Sequence, residues 1–228
     1  MRKIERKSFG NLLRRHLAFI IPFIIMVVIC LYIYLTNSKI EIFLWTNIRH
    51  TPFFDEFFKI STYLGDEFST ILVCIGMLFI KYRYAVLTAL AYLYSSVTVQ
   101  ILKRIFDSPR PSKFFEGLNP IRTIEGYPLY EINSFPSGHS TNAFTLAVVL
   151  AFILPNLRYH WVIIPLAVLT AFSRVYLSQH FFQDVFAGAV LGVVLTFQLI
   201  WWLENTEWYH SPKLDGRLLK GRFRGHWQ

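Results

Sequence analysis

Apolar residues run almost unbroken through six stretches of this chain, at 17–35, 63–80, 85–102, 141–154, 161–177 and 185–203. A hydrocarbon core of about 30 Å takes roughly 20 residues at helical rise. The pattern predicts an all-α bundle of six membrane-crossing helices. The second stretch reaches spanning length only by extending back from 68 to 63, which puts Asp66 and Glu67 near its outer end. The last ends in Trp201 and Trp202, residues suited to a membrane–water interface.

Two connecting segments differ from this pattern. Residues 36–63 mix aromatic and charged positions, as in Phe53, Phe54, Asp55, Glu56, Phe57 and Phe58. That mixture fits helices lying in the interface, or a surface loop packed on the bundle. Residues 104–136 are rich in proline and glycine and read as irregular loop, a length usually tied to function or disorder.

Composition agrees with the membrane class: 54% of the 228 residues are hydrophobic. The net charge of +9 raises the question of nucleic acid. Much of that charge lies in tails beside apolar segments, so it reads as a topology signal and nucleic-acid binding is not expected. Arg2, Lys3, Arg6, Lys7, Arg14 and Arg15 precede the first stretch, and Lys213, Arg217, Lys220, Arg222 and Arg224 follow the last. Lys81, Arg83 and Arg158 sit in alternate turns, whereas the first connection carries Asp55, Glu56, Asp66 and Glu67. By the positive-inside rule both termini are expected in the cytoplasm. The first stretch is longer than a signal-peptide core and is read as retained. Cys30 and Cys74 lie in apolar runs and imply neither a disulfide framework nor a metal site. The expected organisation is one membrane domain over 1–228, with basic tails at 1–16 and 204–228, a bundle over 17–203 and a catalytic core at 103–184.

Charged groups at the ends of membrane helices are functional candidates by default. Lys103 closes the third stretch, and Arg110 follows between Pro109 and Pro111. Guanidinium is shaped for bidentate contact with phosphate. Pro136, Ser137, Gly138 and His139 open the fourth stretch, where Ser137 suits an N-cap and the Gly138 and His139 amides suit an anion. Ser173 and Arg174 fall near the end of the fifth, and His180 and Asp184 stand four apart at the start of the sixth. That spacing shares one helix face, so Asp184 is expected to accept a hydrogen bond from one ring nitrogen of His180 and leave the other free for attack. With the N-terminus inside, all three motifs fall on the outer face. His16, His50, His160, His210 and His226 are assigned no role.

The order Lys-x6-Arg-Pro, Pro-Ser-Gly-His, Ser-Arg-x5-His-x3-Asp resembles the signature of the type 2 phosphatidic acid phosphatase (PAP2) superfamily, the lipid phosphate phosphatases, and matches every fixed position. Phe181, Phe182 and Gln183 replace the Tyr-Pro-Ser or Tyr-Pro-Thr often found before the aspartate. The resemblance implies a PAP2-like six-helix membrane fold in the cell inner membrane and a phosphatase that needs no cofactor or metal. Its implied catalytic residues are His180 as nucleophile, Asp184 orienting it and His139 as acid and base. Lys103, Arg110, Ser137, Gly138 and Arg174 would bind the phosphate. The implied substrate is a membrane lipid phosphate or pyrophosphate: undecaprenyl pyrophosphate, phosphatidic acid, phosphatidylglycerol phosphate or lipid A. A lipid phosphotransferase using the same residues, an intramembrane serine hydrolase using Ser137 and His180, and a non-catalytic scaffold remain alternatives. Protein partners are not legible.

Overall fold

A computed structural model of the chain describes residues 7–118, 121–154 and 156–219. The tail residues Arg2, Lys3, Arg6, Lys220, Arg222, Arg224 and His226 lie outside the described residues. In chain order the helices are α1 (Phe9–Arg15), α2 (Leu17–Thr36), α3 (Lys39–Asn47), α4 (Pro52–Ser61), α5 (Glu67–Ile80), α6 (Tyr82–Phe106), α7 (Pro111–Phe114), α8 (Gly138–Ile153), α9 (His160–Tyr176) and α10 (Phe182–Glu204). A 3₁₀ turn, Thr62–Gly65, joins α4 to α5.

The expectation of six spans is corrected by the lengths and the burial of these helices. Among the described residues, three segments are long and apolar enough to cross a membrane: Leu17–Thr36, Tyr82–Phe114 and Phe182–Glu204. The pair Pro52–Gly65 and Glu67–Ile80, bent by 52°, would make a fourth if it is one span. The sixteen residues of α8 reach only about 24 Å at helical rise, and α9 has 17. Twelve of the residues of α8 are buried. Its apolar run reflects a central position within the protein, because a helix that is hydrophobic all round can be a core helix as well as a span.

Exposure elsewhere fits a lipid environment. Ile21, Ile24, Ile25, Val28, Ile29 and Leu35 of α2 are all exposed, a patch that a soluble surface would not leave open. Phe19 and Phe23 hold α2 to the bundle through ring contacts with Phe197 and Phe144. The chain is therefore a polytopic all-α membrane protein. Residues 36–63 form two capped helices. Ser38 and Glu41 make a reciprocal capping box on α3, and Thr51 caps α4 ahead of Pro52.

The closest joint is between α8 and α10. A Cβ added at Gly188 would stand 2.5 Å from the Ser137 carbonyl oxygen, and one at Gly192 would stand 2.4 Å from that of Thr141. Only glycine lets the two backbones approach this far, as small residues four apart do in membrane helix pairs.

Helix direction then sorts the ends of the bundle. Lys7 pairs with Glu204 at 2.5 Å, and Gly216 accepts a hydrogen bond from the Tyr82 amide at 2.8 Å. The N-terminal segment, the end of α10 and the α5–α6 turn thus share one end. The ends of α6 and α9 and the starts of α8 and α10 meet at the other.

Candidate active site

At that second end lies a cavity of about 270 Å³. Lys103, Arg110, Gly138, His139, Arg174 and His180 all line it. Five elements supply these groups: the last turn of α6, the loop before α7, the first turn of α8, the last turn of α9 and the segment before α10. The loop that looked irregular is irregular apart from the single turn of α7.

Arg110 is held as its place between prolines suggested. Its Nε donates to the Ile132 carbonyl at 2.9 Å, its Nη1 donates to the Gln179 carbonyl at 3.2 Å, and its guanidinium lies 5.1 Å from the Tyr130 ring centre. Arg174 is almost wholly buried, and its Nη1 donates to Thr62 Oγ1 at 2.7 Å and to the Tyr127 hydroxyl at 3.1 Å. Its Nε is buried with no hydrogen-bond partner. A buried cation with an unmet donor, beside a second arginine and a lysine, is a costly arrangement that an anion in the cavity would relieve.

His180 is 1% exposed, as is Asp184. Burial, reinforced by the neighbouring cations Arg110, Arg174 and Lys103, pushes His180 well below the ordinary histidine value, so its ring is neutral near pH 7 and keeps a lone pair for attack. The expected direct hydrogen bond to Asp184 is replaced by a bridged one. His180 Nδ1 and Asp184 Oδ2 stand 3.6 Å apart. Ser134 Oγ lies between them, 3.4 Å from the ring nitrogen and 2.6 Å from the carboxylate. The Phe181 amide donates to the same carboxylate oxygen at 3.0 Å. Sequence reasoning missed Ser134, because a lone serine two residues before a Pro-Ser pair carries no spacing signal.

Ser137 is placed differently from the other anion candidates. It is fully buried, its Oγ accepts the Ser140 amide at 3.4 Å as the N-cap of α8, and it is not among the residues lining the cavity. Its own amide donates to the Asp184 carbonyl at 2.9 Å, tying the start of α8 to the start of α10. Below His139, Asn142 donates to the Gly65 and Asp66 carbonyls at 2.9 and 3.0 Å. The turn before α5 is thereby fixed under the site.

A second cluster, also unread from sequence, braces the loop over the site. Asp55 accepts from the Tyr176 hydroxyl at 2.8 Å and from Arg122 at 3.1 Å, and it lies 3.1 Å from His50 Nδ1. Asn47 Nδ2 donates to the Arg122 carbonyl at 2.8 Å and to Ser178 Oγ at 3.1 Å. Among the described residues, no group of three or more His, Cys, Asp or Glu side chains is arranged to hold a metal ion, and Cys30 and Cys74 are free.

Residues 82–208 match the family model of the PAP2 superfamily. The chain belongs to the PAP2 superfamily. It is a membrane phosphatase of the PAP2 type, acting on lipid phosphates or pyrophosphates. The fold resembles the crystal structure of Aquifex aeolicus LpxE, with a TM-score of 0.64 and 30% identity over 71% of this chain and 93% of that one. It also resembles a PAP2-type phosphatidylglycerolphosphate phosphatase from Bacillus subtilis, with a TM-score of 0.59, 24% identity, and 81% and 95% of the two chains covered. That second likeness bears on the fold alone. In sequence, the chain is 25% identical to a lipid A 4'-phosphatase from Porphyromonas gingivalis over 172 residues, 71% of each. All the matched PAP2 signature residues named above lie within 82–208.

Proposed function

We propose that this PAP2 protein removes phosphate from a membrane lipid by a two-step displacement on His180. The observation that carries the reading is the single cavity that gathers Lys103, Arg110, Arg174, His139 and His180. His180 donates Nδ1–H to Ser134 Oγ, which in turn donates to Asp184, and this leaves Nε2 as the nucleophile. Nε2 forms a bond to phosphorus as the bond to the lipid oxygen breaks, and His139 protonates that oxygen. Water, deprotonated by His139, then displaces phosphate from the histidine and restores the ring. Lys103, Arg110, Arg174 and the Gly138 amide stabilise the charge on the equatorial oxygens. Ser137 acts by fixing the start of α8. A serine hydrolase built on Ser137 is disfavoured, because that hydroxyl is buried in the helix cap and away from the cavity.

Among substrates, the resemblance to a lipid A 4'-phosphatase favours lipid A. Phosphatidic acid, phosphatidylglycerol phosphate and undecaprenyl pyrophosphate are the comparison set. We read both termini as cytoplasmic and the cavity as facing the outer side. Arg14, Arg15, Lys81, Arg83 and Arg158 support this, since they sit at the end of the bundle away from the cavity. Phosphate release by the purified protein in detergent, run on these four lipids, tests the activity. With three fixed cations assigned to the charge, release should continue in excess EDTA and be blocked by vanadate. An absolute requirement for added Mg²⁺ would overturn this mechanism.

Ser134 gives a finer test. Losing one hydrogen bond to a charged group costs about 1.5–3 kcal/mol, or about ten- to a hundredfold in rate. Ser134→Ala should therefore lower kcat by about that factor with little change in KM, and Ser134→Thr, which keeps the hydroxyl, should recover most of it. Equal losses in both variants would show that Ser134 only fills space.

A further inference from the structure

His180 is preceded by a residue that falls on an open position of the signature and has no part in the displacement. Gln179 is 1% exposed and is not among the residues lining the cavity. A buried side-chain amide is costly unless its acceptor and its donors are met. Gln179 Oε1 accepts from Arg110 Nη1 at 3.4 Å, and Nε2 donates to the Pro128 carbonyl at 3.0 Å and to the Leu177 carbonyl at 3.3 Å. The reverse orientation would set the NH₂ group against a guanidinium and the oxygen against two carbonyls. The neighbours therefore fix which end of the amide faces the arginine.

The main chain of the same residue repeats the grip. The Gln179 carbonyl accepts from the same Arg110 Nη1 at 3.2 Å. Its amide donates to the Arg174 carbonyl at 2.9 Å, an oxygen that the His180 amide also meets at 3.2 Å. One residue thus holds Arg110 at two points, is tied to the main chain of Arg174, and is joined covalently to His180. With Nε on the Ile132 carbonyl, two of the three Arg110 nitrogens are held by acceptors. Among the described residues no acceptor is bonded to Nη2, and Arg110 lines the cavity. A guanidinium held at two nitrogens presents the third at a set angle, whereas one held at Nε alone can swing about its outer torsions. Misplacement by about 1 Å can cost on the order of 10²-fold in rate. Filling space would not require an amide, since methionine has similar length and asks for no partners.

We propose that Gln179 is a positioning residue for Arg110, setting the angle of its free nitrogen toward the phosphoryl group that His180 attacks. The role rests on the phosphatase reading above and adds to it a residue that touches neither substrate nor the reacting atoms.

A double-mutant cycle tests it. Gln179→Met keeps length and removes the amide, and Arg110→Lys keeps the charge and removes the fork. The wild-type chain, each single variant and the pair are compared in kcat/KM on whichever of the four lipids the wild type turns over fastest. They are also compared in vanadate affinity by thermal shift, which needs no turnover. Gln179→Met should lower kcat/KM by about tenfold and weaken vanadate by a similar factor, the low end for a bond to a charged group because the main-chain carbonyl remains. On the Arg110→Lys background the same change should cost less than about twofold, since residues in one network do not act additively. Gln179→Glu, of nearly the same shape, should lose more, because a carboxylate facing Arg110 draws on the charge offered to phosphate. It also carries the test if the methionine variant does not fold. Equal losses on both backgrounds, a lower unfolding midpoint with vanadate affinity unchanged, or a Gln179→Glu enzyme as active as wild type would each reduce Gln179 to packing. Any of these in an active enzyme leaves the phosphatase reading standing. No release from any lipid by the folded wild-type protein would remove both.

Discussion

Replacing His180 by alanine should abolish phosphate release while leaving the helix bundle intact. The expected loss is on the order of 10⁴- to 10⁶-fold in kcat, the scale on which removal of a nucleophile acts. His180 is fully buried, and its neighbours Ser134, Asp184 and Phe181 are bonded to one another as well as to it. The small cavity left by the ring should therefore not unfold the segment. Circular dichroism and gel filtration in detergent would establish that the variant is folded. Acid-quenched phosphoenzyme should be trapped with the wild-type protein and absent with His180→Ala. A folded variant that retains near-normal turnover would exclude His180 as the nucleophile.

Gly192→Val should be nearly as damaging, through the backbone. The added Cβ would stand 2.4 Å from a carbonyl oxygen of α8, with Phe144 Cβ and the Thr145 nitrogen at 3.1 Å. Backbone cannot move aside as a flexible side chain would, so α10 must separate from α8. Overpacking of this kind costs about 1–3 kcal/mol, and each kcal/mol lowers the unfolding midpoint by roughly 2–4 °C in a chain of this size. Gly188→Ala should add a loss of kcat, because the atom it displaces is the carbonyl oxygen of Ser137, the residue before Gly138 and His139 of the site. Gly76→Ala in α5 is the control: its Cβ would meet nothing within 4 Å, and both midpoint and activity should be unchanged. If Gly192→Val matched that control, close approach of the two helices would not be what holds the site.

The contrast between what the sequence displays and what it hides follows from the kind of signal involved. Lys103, Arg110, His139, Arg174 and His180 were readable because charged groups at the ends of apolar runs stand out, and the structure puts all five around one cavity. The number of membrane spans was not readable. A sixteen-residue core helix such as α8 and a short span have the same composition, and only burial by neighbours on every side tells them apart. Ser134 was hidden because its importance lies in a contact with residues nearly fifty positions away. His50 was passed over as a loop residue, yet it is buried and stacked on Tyr176 with ring centres 4.1 Å apart.

The hydrogen bond from the Ser137 amide to the Asp184 carbonyl has a consequence for the order of events during synthesis. The ribosome delivers Lys103 and Arg110 first, then His139, then Arg174, and only afterwards His180 and Asp184. Until α10 has emerged and settled on α8, the Ser137 amide lacks its partner and the Ser134 hydroxyl lacks the Asp184 carboxylate to which it donates. A nascent chain is thus a collection of harmless parts. The centre is completed in one step by its last long helix, and a chain released short of that helix would occupy the membrane without attacking its lipids.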